Sequence, residues 1–295
     1  MLDRASTFAR KGIVQLLQTR FVPVAIDQAY QRRQKDAEGE FYRKIAGQGP
    51  RNNFKGTTQG FYAAGPDGKL LFYNNNRNPE RVEGLMRKAL RNFRPTATTA
   101  IARGKPDARY NPVPPKGGLV VRVRAKILSG YPETTDPWKR IFQTAVSRDN
   151  LWISKNEHAA LASGSVPKTV QQRIARYHLV DNTRGEPPMW KANEIRHLDM
   201  KITRGKLTGT VRLATASGDR TYEADLYGVV KTSAGKVTQF DLVAKGNFSG
   251  EGTYTRGAPK GKFPLAIAFS LADGRDTADA VPPQASRGWV RGYIK

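Results

Sequence analysis

The sequence contains no cysteine. Disulfides, thiolate nucleophiles and Cys-ligated zinc are therefore excluded for these 295 residues, although compartment does not follow from that. Histidine is scarce, with only His158, His178 and His197. Their contexts read as a loop or helix, a helix end and a strand. His197 and Asp199 share a strand face by their period of two, but two ligands are too few for a metal site. Long apolar runs are missing as well. Residues 21–26 form the longest early run, too short and too far in for a secretory signal core. No run approaches the ~20 apolar residues of a membrane span. The expectation is a soluble, cytoplasmic product, provided that Met1 is the true start. Phosphate-loop, nucleophile-elbow and H-E-x-x-H motifs are all lacking, so no catalytic residue, metal or cofactor is assigned. "SGSVPKT" (163–169) is a loop leading into a helix.

Acidic residues are few. Fifty Lys and Arg face 25 Asp and Glu, giving a net charge of +25. The excess is spread along the chain: +10 over residues 1–95, +2 over 96–115 and +13 over 116–295. Such a balance favours anionic partners, nucleic acid among them. A generally basic proteome or an anionic environment is the favoured explanation over a dedicated nucleic-acid function.

Residues 2–19 carry apolar side chains at three- and four-residue steps, which predicts a helix. "RFVPVAID" follows and reads as a strand over residues 21–26, with Pro23 placing it at a sheet edge. Residues 28–46 are polar and helical in part. "FYAAGPDGKLLFYNNN" reads as a hairpin turned at Gly65-Pro66-Asp67-Gly68. The clearest helix starts at Asn78-Pro79 and carries a stripe of Val82, Leu85, Met86, Ala89, Leu90 and Phe93. Residues 95–116 hold five prolines and read as a linker. Beyond it, "GLVVRVRAKIL" alternates strictly and predicts a half-buried strand with Arg122, Arg124 and Lys126 outward. A helix begins near Pro167. From Glu194 onward, strands alternate with tight turns, including "FPLAIAFSLADG" and, at the end, "GWVRGYI".

The order helix, "IVQLLQTRFVPVAID", polar stretch, "GPDGKLLFY", helix resembles the thioredoxin-like domain of the spermatogenesis-associated type. Leu16, Leu17, Phe21, Val22, Val24 and Asp27 carry the resemblance, with Pro66, Asp67, Gly68 and Lys69. It covers residues 1–94, about a third of the chain. It implies an α/β unit and thiol–disulfide chemistry, but the family's first strand and Cys-X-X-Cys motif have no counterpart. In the family that motif precedes the position of Met1. Thr57, Thr58 and Gln59 stand where the family carries a cis-proline loop, and the resemblance suggests them as peptide contacts. Without the first strand, residues 21–26 would be left unpaired. Three explanations stay open: a misplaced start, with an upstream redox motif or a selenocysteine read as stop; a genuine truncation; or a wrong fold assignment.

The expectation is thus an α+β chain of two domains. An incomplete thioredoxin-like α/β unit (1–94) and a linker (95–116) precede an antiparallel β-rich domain (117–295), barrel or sandwich, with at least one helix. The expected function is a redox-inactive interaction protein with an unidentified protein partner, or the downstream part of a longer oxidoreductase. The rival is a basic nucleic-acid-binding protein using Tyr30, Arg32, Arg33, Lys35, Arg43 and Lys44, beside Phe41 and Tyr42. The competing view of that cluster is a solvated helix face with Phe41 and Tyr42 turned inward. Asp36, Glu38 and Glu40 read as salt-bridged helix surface rather than acid–base groups. Trp138, Trp152, Trp190 and Trp289 read as packing anchors.

Overall fold

The helical spacing of residues 2–19 is realised in pieces. The computed structural model describes every residue except 1, 96, 98–100, 103, 288 and 295. In it, α1 (Leu2–Ala5) gives way to a 3-10 turn (Thr7–Ala9) before α2 (Lys11–Thr19). The interruption has a cause: Thr7 is buried and its hydroxyl donates to the Arg77 carbonyl at 2.6 Å. Contacts divide the chain into two units, Asp3–Pro112 and Val113–Lys295.

In the first unit, residues 21–26 form no strand, which corrects the expected edge strand. They make no backbone hydrogen bond among the described residues, and Pro23 has no amide to offer. A strand exists only as part of a ladder, and residues 21–26 join none among the described residues. Asp27 caps α3 (Gln28–Gln31) by accepting from the Ala29 amide, and Asp36 caps α4 (Ala37–Ala46) by accepting from Gly39. β1 (Phe61–Ala64) and β2 (Leu70–Asn74) form the expected antiparallel hairpin. Asn78 and Pro79 start α5 (Pro79–Asn92) as their chemistry requires. Register then sorts the hairpin's side chains. Ala63 pairs with Phe72, so Phe61 and Phe72 face Ile13 and Leu16 of α2 and Val82 and Met86 of α5. Tyr62 pairs with Tyr73 on the opposite face, where Tyr62 meets Tyr42 of α4 at 6.3 Å. The hairpin is thus sandwiched between helices. Part of the expected linker belongs to this unit: Asp107 accepts from the Lys35 amide at 2.9 Å, and its own amide donates to Asp36 at 2.8 Å.

The second unit is built on one seven-stranded antiparallel sheet. It starts with β3 (Leu119–Ile127), α6 (Pro137–Thr144), β4 (Asp149–Ile153), α7 (Lys155–Ala162) and α8 (Lys168–Arg173). A π-helical turn (Ile174–His178) extends α8. A meander follows of β5 (Ile195–Thr203), β6 (Lys206–Ala214), β7 (Thr221–Ser233), β8 (Lys236–Ser249) and β9 (Lys262–Leu271). The spatial order is β4-β3-β9-β8-β7-β6-β5.

This corrects the expected barrel or sandwich. There is one sheet rather than two, and among the described residues no ladder joins edge β4 to edge β5. The sheet is curled instead, and inward glycines let neighbouring strands approach closely. A Cβ on Gly246 would stand 1.9 Å from the Glu223 carbonyl oxygen. The inner face packs Val121, Val123, Leu213, Phe240 and Phe269 against Leu161, Val170 and Ile174 of the helices. "GWVRGYI" is also not a strand. It ends in α9 (Val290–Ile294), which buries Tyr293 and half-buries Val290 and Ile294 on one helical side.

Candidate functional site

The loop before β1 is held from three sides by tyrosines. The Tyr42 hydroxyl lies 2.6 Å from Thr58 Oγ1, Tyr62 donates to the Thr58 carbonyl at 2.7 Å, and Tyr73 donates to the Gln59 carbonyl at 3.0 Å. Burial pushes the hydroxyls of Tyr42 and Tyr62 up from the ordinary tyrosine range, so both stay protonated. Gln28 completes the clamp: its Oε1 accepts from the Thr58 amide and hydroxyl, each at 3.1 Å. Thr57 and Gln59 are exposed at this loop, while Thr58 is fully buried and is a tether, not a contact surface.

Gln28 also lies two residues beyond the segment 21–26, so loop and segment adjoin. Val22 is 90% exposed and Val24 75%. Phe21 turns in against the cluster that also takes Phe61 of β1. β1 pairs with β2 alone, so its second edge is open among the described residues. An unpaired apolar segment, an open strand edge and a rigidly held loop therefore border one region. Chemically it offers backbone hydrogen bonds and apolar contact.

The Tyr30/Arg32 cluster does not form a basic aromatic face. Tyr30 and Tyr42 are buried. Arg33 lies 5.4 Å over the Tyr110 ring, and Arg43 donates to the carbonyls of Arg32 and Gln34. Arg32 donates to Gln28 at 2.7 Å. Only Lys35 and Lys44 are exposed cations, as a face that packs on Tyr110 and the Asp107 loop requires. Asp36 is a capping hydrogen-bond acceptor rather than a salt-bridge partner. Burial would raise its carboxyl, but the amides of Asp107 and Gly39 and the Gln34 side chain hold it below the usual range.

In the second unit, His178 is buried between Asp149 and Tyr293. Its Nδ1 lies 3.2 Å from Asp149 Oδ2 and its Nε2 2.6 Å from the Tyr293 hydroxyl. Burial pushes that hydroxyl well above its ordinary value, so it stays protonated. Arg173 binds Glu157 beside this group and donates to the carbonyls of Trp152, Tyr293 and Ile294. The arrangement pins α9 to the sheet. Sequence reasoning missed it, because its members are scattered between residues 149 and 293.

An open groove of about 500 Å³ on the outer face of the sheet is lined by His197, Thr210, Arg212, Glu223, Asp225 and Lys245, among others. His197 lies 2.8 Å from the Thr210 hydroxyl, and no group of three or more metal-ligating side chains occurs among the described residues. Trp152 and Trp190 are buried anchors as expected, whereas Trp138 and Trp289 are exposed. No helix among the described residues is long and apolar enough to cross a membrane. No family model, curated protein or solved structure matches the chain.

Proposed function

We propose that this chain is a redox-inactive interaction protein whose first unit is thioredoxin-like and receives an extended peptide along residues 21–26. The order of helix, apolar segment, helices, hairpin and helix supports the first part, as does the placing of helices on both faces of the hairpin. The reading is carried by one observation: residues 21–26 have no backbone partner among the described residues while Val22 and Val24 stand in solvent. Unpaired apolar backbone beside an open strand edge is a template for strand addition. Thr57 and Gln59, on the clamped loop at its end, are placed to contact such a peptide.

The test is selection of random peptides against the full chain, followed by amide hydrogen exchange. A bound peptide should protect residues 21–26 and β1. Val22→Lys with Val24→Lys should abolish binding and leave the thermal midpoint unchanged. Selected peptides that bind the double variant equally well, or a selection that yields none, would refute the proposal.

A further inference from the structure

Two hairpins of the second unit turn at the same end of the sheet. Arg204-Gly205 closes β5–β6 and Ala234-Gly235 closes β7–β8, with positive φ at all four residues. This is the two-residue turn that matches strand twist. The first turn lies level with Val230 of β7, whose amide donates to the Gly205 carbonyl at 2.8 Å, and the second turn projects about four residues further along the strand direction. The start of β8 also meets α7. The Val237 amide donates to His158 Nε2 at 3.0 Å, and His158 Nδ1 donates to the Gly117 carbonyl at 3.0 Å. A Cβ on Gly117 would lie 3.3 Å from the Lys155 side chain, which brings Lys116 and Lys155 to the same end.

Lys116, Lys155, Arg204, Lys206, Lys231 and Lys236 thus gather at one end of the sheet. All six are exposed. None is in an ion pair among the described residues, whereas Arg122, Arg148, Arg173, Arg184, Arg220 and Arg287 take up carboxylates elsewhere in the unit. The nearest acid on the β7–β8 hairpin is Asp241, opposite Val229, and Gln239 donates to it. One row further in, Lys201, Thr208 and Tyr227 stand opposite one another across β5, β6 and β7 on the outer face. Tyr227 is 62% exposed. It sits two residues, about 7 Å, from the row of Lys206 and Val229 at the β5–β6 turn.

We infer that this end of the sheet binds single-stranded nucleic acid. The six cations meet consecutive phosphates and Tyr227 stacks on a base. The tips carry no large apolar side chain to insert into a bilayer. The pairing of exposed cations with a nearby ring is the combination that sequence-tolerant strand binders use.

The experiment is fluorescence anisotropy of a labelled 20-mer of deoxythymidine with the full chain, from 50 to 200 mM salt. Six neutralised phosphates give a slope of log K on log salt of about −4, a loss of a few hundred-fold over that range. Replacing Arg204, Lys206, Lys231 and Lys236 together by Gln should remove about 3 from the magnitude of the slope. Tyr227→Ala should weaken binding about tenfold with the slope kept. All five side chains are exposed, and circular dichroism verifies the fold. The charge-matched control replaces Arg256, Lys260, Lys262 and Arg275 by Gln and should change little. An equal loss in the control would assign the binding to overall charge and overturn the inference. So would a silent Tyr227→Ala, or tip-dependent binding to phosphatidylserine vesicles without binding to the oligonucleotide.

Discussion

Arg173 and Glu157 meet inside the second unit through two parallel hydrogen bonds, Nη1 to Oε2 at 3.0 Å and Nη2 to Oε1 at 2.8 Å. The pair is buried, and its remaining bonds fasten three separate pieces of chain. Glu157 accepts from the Ser154 amide and the Thr169 hydroxyl, and Arg173 reaches the last turn of α9. Removing one partner strands a charge away from water. Arg173→Met is therefore expected to cost about 3–5 kcal/mol in urea unfolding. It should also expose α9 to proteolysis, since the carbonyls of Tyr293 and Ile294 lose their donor. The double change with Glu157→Gln should cost less than the single one. A double variant that is the less stable of the two would show that the pair is not the source of the effect.

The same pair sets an acid limit. Burial alone would raise the Glu157 carboxyl, but hydrogen bonds from Arg173, Thr169 and the Ser154 amide outweigh it and hold the carboxyl below the usual range. A folded-state value lower than the unfolded one means that its stabilisation is complete above about pH 4.3 and fades as pH falls through the lower value. Urea midpoints measured from pH 6 down to pH 3 should drop steeply at the acid end. Glu157→Gln should flatten part of that drop while lowering the midpoint at pH 6. An unchanged acid limb would assign the drop to other carboxylates.

The strands were legible where periodicity and burial coincide. The alternation of residues 119–127 is matched by the burial of Val121, Val123, Ala125 and Ile127. α5 was legible because Asn78, Pro79 and the apolar stripe agree. Residues 21–26 misled, because strand-forming side chains do not supply a neighbouring strand. "GWVRGYI" misled because a five-residue helix is too short to show its period and contains Gly292. The site was harder to read than the fold. Nothing local marks Tyr30 as buried or places Arg33 over Tyr110, and Lys116 and Lys236 come together only through His158. Side-chain clusters of that kind are products of topology.

The tyrosine clamp predicts a graded response at the loop before β1. Tyr42→Phe removes one hydroxyl and leaves Thr58 Oγ1 donating to Gln28, so it should cost about 1 kcal/mol. Thr58→Val leaves the buried Tyr42 hydroxyl without its partner and should cost more, about 1–3 kcal/mol. Amide exchange at residues 58–59 should quicken in the same order. Equal rates in both variants would mean that the backbone bonds from Tyr62 and Tyr73 suffice to hold the loop.

Curling of the sheet makes its own prediction at Gly246. It lies opposite Ala224 in the β7–β8 register. A Cβ there would stand 1.9 Å from the Glu223 carbonyl oxygen and 2.5 Å from the Ala224 Cα. Both are backbone atoms, so no side chain can swing away, and the two strands must separate. Gly246→Ala should therefore fall at or beyond the upper end of the ~1–3 kcal/mol expected for overpacking. Gly218 is the control. Its φ of 71° disfavours a side chain, but nothing lies within 4 Å of its would-be Cβ. Gly218→Ala should cost only the left-handed penalty of about 1–2 kcal/mol. If thermal unfolding ranks the two variants equally, the strands accommodate a Cβ at position 246 and the curl must be set by the side chains packed on the inner face.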